Sequence, residues 1–226
     1  MCISSENIHS IWKIALTAED GNNDISYDRT YPALLQAGKD CLEHLDKEDA
    51  ITYIKILALA TYGWMPTILD NMGGKDEDIV AALKEIRNNP RGINNQDALN
   101  TLKNFTNNSY VGLSKFLHFM FPNNFAIWDS NVYRALKIAS AFDNFKGNEK
   151  DIRDKFGGTI NANVKKAFEC YEKAIIAAAE SMPSLKEAEK GEISVLRCIE
   201  KRLFCFGKHF AKSKSKKSSD EETAEQ

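Results

Sequence analysis

Two side chains in the stretch 105–136, FTNNSYVGLSKFLHFMFPNNFAIWDSNVYRAL, carry chemistry that their neighbours do not account for. Asp129 stands directly before a segment with helical periodicity. A carboxylate there can cap the helix by accepting its first amides, and it can equally stabilise positive charge developing on a substrate. Lys115 lies among Leu113, Phe116, Leu117 and Phe119. Such a lysine either snorkels its ammonium to water or loses solvation, and lost solvation lowers its pKa and makes the neutral amine available as a nucleophile. Other reactive groups are sparse. There are four histidines and five cysteines, with no His-Glu-x-x-His pattern and no Cys/His cluster, so neither a metal nor a cofactor is expected. His118, on the apolar face around Lys115, reads as a core histidine.

Helices must hold these groups, because apolar residues recur at helical spacing and no hairpin signal flanked by alternating apolar residues occurs. The expected class is all-α, and 226 residues allow either one large domain or two small lobes sharing a core. Ser5 caps a first helix through Ile8, Ile11, Trp12, Ala15 and Leu16; a polar loop, GNNDISYD, follows; and Pro32 opens a second helix through Leu45. The segment DAITYIKILALATYGWMP is apolar almost all round until Gly63 and Pro66, which predicts a central buried helix. After a turn at Gly73-Gly74 come a helix through Ile79, Leu83 and Ile86, a short one through Leu99, Leu102 and Phe105, a turn at FTNNSY and an apolar helix closed by Pro122. NNFAIW is an extended link into the helix SNVYRALKIASAF. A polar connector then ends at Gly157-Gly158, and two more helices follow, the last through Ile193, Leu196, Ile199, Leu203 and Phe206. Residues 1–207 form the helical domain in this reading, with the chemistry in 95–141, and the Lys/Ser-rich then acidic residues 208–226 form a disordered tail.

With 43% hydrophobic and 27% charged residues the chain can bury a sizeable core, which excludes a disordered protein. No long uncharged apolar run occurs, so no membrane span is expected. The odd, scattered cysteines suit reduced thiols in a cytoplasmic protein. The net charge of −2 gives no reason to expect a polyanionic partner. From Thr101 to Lys137, however, Lys103, Lys115, Arg134 and Lys137 face the single acid Asp129, a locally basic stretch able to meet phosphates.

The order short helix, polar turn, apolar helix, extended link, Asp and new helix resembles the helix-hairpin-helix DNA glycosylase superfamily. Within it the string SKFLHFMFPNNFAIWDSNV is most similar to the bacterial 8-oxoguanine DNA glycosylase-like proteins. The family hairpin, Leu-Pro-Gly-hydrophobic-Gly, falls on Phe105-Thr106-Asn107-Asn108-Ser109, and the family pattern Asp-x-Asn/His-Val-x-Arg falls on Asp129, Asn131, Val132 and Arg134, with no gap between them. Both family glycines are absent, although Asn tolerates the left-handed conformation better than most residues.

The resemblance implies a two-lobed helical fold, a nucleoid-associated monomer, a DNA partner and excision of a damaged or modified base, with Asp129 as the catalytic carboxylate. Breaking an N-glycosidic bond leaves positive charge on the deoxyribose, which a carboxylate stabilises. The family's Schiff-base lysine falls on Val111; Lys115, one helical turn later on the same face, is the candidate replacement. Asn107, Asn108, Ser109 and Tyr110, at a helix N-terminus, would hold a phosphate, with Asn131 and Arg134 as further DNA contacts. Tyr62, Trp64, Met65 and Trp128 are candidate walls for a flipped base, core packing being the competing role for each. Two other readings stay open: a non-catalytic helical DNA-binding module on the same scaffold, and excision directed at modified bases of invading DNA.

Overall fold

The computed structural model describes residues 25–65, 67–90, 95–142, 149–181 and 193–211. Among them it is all-helical, with nine helices: α1 (Ile25–His44), α2 (Ala50–Trp64), α3 (Asp76–Asn88), α4 (Gln96–Phe105), α5 (Tyr110–Met120), α6 (Ser130–Phe142), α7 (Glu149–Phe156), α8 (Lys165–Ser181) and α9 (Val195–His209). No described helix is long and apolar enough to cross a membrane. The expected first helix from Ser5 lies outside the described residues.

The helix pairings fall into two groups. In the first, α1 packs on α2 and α5, and α3 on α4; in the second, α9 packs on α6 and α8, and α7 on α6. One continuous core runs through both, from Tyr31, Ile54 and Leu83 to Trp128, Tyr171 and Leu203. Backbones touch at two glycines. A Cβ on Gly38 would lie 1.9 Å from the Phe119 carbonyl oxygen, and one on Gly207 would lie 1.9 Å from that of Asn131, so α1 meets α5 and α9 meets α6 at distances only glycine permits.

Local signals explain most helix boundaries. Ser109 and Ser194 cap α5 and α9, their hydroxyls accepting the amides of Gly112 and Arg197. Asp76, Glu77 and Asp78 open α3 and Arg87 closes it, each matching the sign of the helix dipole. Gly74 turns the chain at φ 105°, a left-handed conformation suited to glycine.

The structure corrects four expectations. Pro32 lies inside α1, which begins at Ile25 within the expected polar loop. Tyr31 is buried against α5 with its hydroxyl on His118, and that tertiary contact outweighs the amide bond proline forfeits. α2 is not buried all round, for Ile56 and Leu59 are 52% and 54% exposed. The polar connector contains α7, whose Ile152 packs with Ile138 and Phe210. That contact also carries the ordered chain beyond 207, through His209 to a buried Phe210. Residues 212–226 of the expected tail lie outside the described residues.

Candidate active site

After α5 the chain turns at 122–124, and residues 125–129 then form a link with no helix or strand that delivers Asp129 to the start of α6. The link has no strand partner, yet its backbone polar groups are buried and need partners. Four side chains supply them, one after another. His118 donates from Nδ1 to the Phe125 carbonyl (2.7 Å), and Glu172 accepts from the Ala126 amide (3.4 Å). Tyr171 donates to the Ile127 carbonyl (2.9 Å), and Ser114 accepts from the Trp128 amide (3.0 Å). Because a carbonyl only accepts, His118 carries its proton on Nδ1, so Nε2 accepts from the Tyr31 hydroxyl (2.7 Å). Burial pushes the imidazole pKa down to about 3, keeping it neutral.

Ser114 and Lys115 are consecutive on α5, and Trp128 and Asp129 are consecutive on the link. Lys115 and Asp129 thus each follow one partner of the Ser114–Trp128 bond in sequence. Asp129 is half-buried, and its Oδ1 accepts the amides of Asn131 (2.8 Å) and Val132 (2.9 Å). The carboxylate thus caps α6, and its Oδ2 has no hydrogen-bond partner among the described residues. Lys115 is also half-buried, and its Nζ lies 5.3 Å from the centre of the Trp64 ring. Desolvation lowers its pKa, against the pull of the Asp129 and Glu200 carboxylates and with the help of the Arg197 guanidinium. No ion-pair partner lies within 4 Å of Lys115 among the described residues.

The hairpin between α4 and α5 is built without glycine. Asn107 and Asn108 both have φ 52°, two successive left-handed residues where the family pattern has one glycine and one apolar residue. Asn107 is fixed from outside: its side chain donates to the Ile68 carbonyl (2.8 Å) and accepts from the Asn71 amide (2.9 Å), and its own amide donates to the Asn71 carbonyl (3.2 Å). The Ser109 amide goes to the Thr106 carbonyl (3.0 Å) and the Tyr110 amide to Asn163 Oδ1 (3.0 Å). Of the hairpin amides, only those of Asn108 and Val111 lack a partner among the described residues. Of the four residues expected to cradle a phosphate, Asn108 alone keeps its amide open.

Several expected contacts turn inward. Arg134 is 5% exposed and donates to the carbonyls of Phe156 (3.0 Å), Gly158 (3.1 Å) and Gly207 (3.3 Å) and to Asn131 Oδ1 (2.5 Å). It ties α7 and α9 to α6, with the half-buried Asn131 as its brace, so the Arg134 guanidinium faces inward. Tyr110 is buried, its ring against Phe168. Trp128 is wholly buried among Tyr133, Phe168 and Tyr171, and its indole N–H donates to the Ala162 carbonyl (2.6 Å). Tyr62 is buried with its hydroxyl on the Thr106 carbonyl (2.9 Å), bracing the hairpin, and Met65 is buried beside it in sequence. Of the four expected pocket walls, Trp64 is half-buried with its ring near the Lys115 ammonium, while Tyr62, Met65 and Trp128 are core residues.

Sequence reasoning missed Ser114, Glu172, Arg197 and Glu200. Only their polarity at core-facing helical positions could have revealed them. No group of three or more potential metal ligands occurs among the described residues.

Glu172 makes a testable contribution. Burial raises its carboxyl from an ordinary 4.5 to about 8, and its Oε1 has no partner. The folded protein therefore holds this proton between pH 4.5 and 8 while the unfolded chain releases it, so stability falls as pH rises through that interval and levels off above it. Glu172→Gln should flatten the slope, which urea unfolding from pH 5 to 9 would measure; an unchanged slope would remove Glu172 as its source.

No protein-family model, curated protein or solved structure matches this chain.

Proposed function

We propose that the protein is a DNA N-glycosylase that excises a damaged or modified base and forms a Schiff base through Lys115. The observation that carries the reading is a desolvated lysine that feels the charge of the half-buried Asp129 carboxylate, the two residues following the bonded Ser114 and Trp128 in sequence. As the N-glycosidic bond breaks, its electron pair leaves with the base and the sugar becomes cationic; Asp129 stabilises that charge. The neutral amine of Lys115 then bonds to the anomeric carbon and passes a proton to the departing base. The C1′–O4′ bond breaks with its electron pair going to O4′, which takes a proton from water, and the nitrogen lone pair closes the C=N bond of the protonated Schiff base that borohydride reduces. The hairpin that opens α5, with the amides of Asn108 and Val111 open and the Lys103 ammonium 4.5 Å from the centre of the Tyr110 ring, supports a DNA backbone partner. Excision during repair and excision from invading DNA require the same sugar chemistry and differ in the base accepted.

The test is borohydride trapping on duplexes and single strands carrying oxidised, alkylated, deaminated and hypermodified bases. The wild type should form a covalent DNA adduct with at least one of them, and Lys115→Met should form none while its melting temperature stays close to that of the wild type. Base release without any adduct would retain the glycosylase and dismiss the Schiff base. Salt-dependent binding with no abasic product would favour the non-catalytic module.

A further inference from the structure

We propose that Arg197 and Glu200 of α9 are positioning residues that set the charge of Lys115; the assignment gains its catalytic meaning from the reading of Lys115 as the nucleophile. The geometry centres on one indole. Lys115 Nζ lies 5.3 Å from the centre of the Trp64 ring, and the Arg197 guanidinium carbon lies 5.7 Å from the same centre and 5.1 Å from that of Tyr31. Arg197 Nη1 in turn pairs with Glu200 Oε2, and the Glu200 side chain is 1% exposed. Two cations thus share a half-buried aromatic surface, with one buried carboxylate behind them.

The electrical consequences have opposite signs. Arg197 drives the proton off Lys115, and Glu200 holds it on. The remaining charged neighbour is Asp129, on the link, which also favours the ammonium. Burial raises the phenol of Tyr31, on α1, and that of Tyr171, on α8, so both stay neutral, as does His118 on α5. Glu200 is the fully buried carboxylate among the groups that act on Lys115. Burial raises its carboxyl to about 7, against the pull of Arg197 and Lys115. Below that pH a neutral Glu200 lets the amine form readily; above it, the new carboxylate makes the last proton harder to remove. Such coupling spreads the titration of Lys115 over a wider range than one isolated group would show.

Competitive labelling with acetic anhydride, read at Lys115 by mass spectrometry from pH 6 to 10, tests this with no DNA present. In the wild type the logarithm of the labelling rate should rise with pH at a slope below one around pH 7. Glu200→Gln keeps an oxygen acceptor for Arg197 and removes the charge, so the midpoint for Lys115 should move down by about one pH unit and the slope should return to one. An unshifted midpoint in folded Glu200→Gln, or a single-proton curve in the wild type, would overturn the proposal. Since the wild-type curve alone decides the second point, a variant that fails to fold leaves the question answerable. Shifted labelling in a protein that releases no base would uphold the pair and reject the glycosylase.

Discussion

Asp129→Asn is expected to slow base release by about 100-fold or more with little change in melting temperature. Asparagine keeps an oxygen where Asp129 Oδ1 accepts the amides of Asn131 and Val132, at 2.8 and 2.9 Å, so the cap on α6 survives. What disappears is the charge that would face the sugar. The same loss removes an influence that holds the proton on Lys115, so the amine becomes more available. The variant should therefore trap DNA that already lacks a base at least as well as the wild type near neutral pH. Single-turnover release from a responsive base and borohydride trapping on pre-formed abasic DNA measure the two steps separately. Wild-type release by a folded Asp129→Asn protein would remove this carboxylate from the chemistry.

Gly207→Ala, like Gly38→Ala, should be among the most damaging single-methyl additions for the fold, costing about 3 kcal/mol. Its Cβ would stand 1.9 Å from the Asn131 carbonyl oxygen and 3.2 Å from the Ala135 amide nitrogen, both backbone atoms that cannot swing aside. α9 would have to lift from α6, and the Arg134 bond to the Gly207 carbonyl would lengthen with it. The control is Gly63→Ala on α2, where nothing lies within 4 Å and helix propensity favours alanine by a little under about 1 kcal/mol. Urea unfolding of the two variants should move in opposite directions; equal midpoints would show that the α6–α9 contact relaxes freely.

Helical class was legible because α3, α4 and α5 each carry a clean apolar stripe with a serine, acid or asparagine at the start. Pro32 misled because its position in α1 is decided by the burial of Tyr31, a contact with residues far along the chain. α7 escaped because a short helix contributing chiefly Ile152 and Phe156 to the core is mostly polar. At the site, Asp129 and Lys115 stood out by being charged amid apolar neighbours. Arg134 stood out for the same reason and proves to be a tie between helices, since spacing cannot tell an arginine that reaches outward from one that gathers carbonyls. Glu200 and Arg197 were hidden by distance along the chain: nothing local in α9 indicates that it lies across from α5.

The link before Asp129 has an uncommon dependence on chain length. A strand in a sheet can slip by two residues and find equivalent neighbours, because a ladder repeats. Here His118, Glu172, Tyr171 and Ser114 each recognise a different backbone group of 125–128. No neighbouring alignment offers the same donors and acceptors in the same order. Adding or deleting a single residue between Phe125 and Asp129 therefore cannot be absorbed by sliding, and this segment should admit changes of side chain far more readily than changes of length.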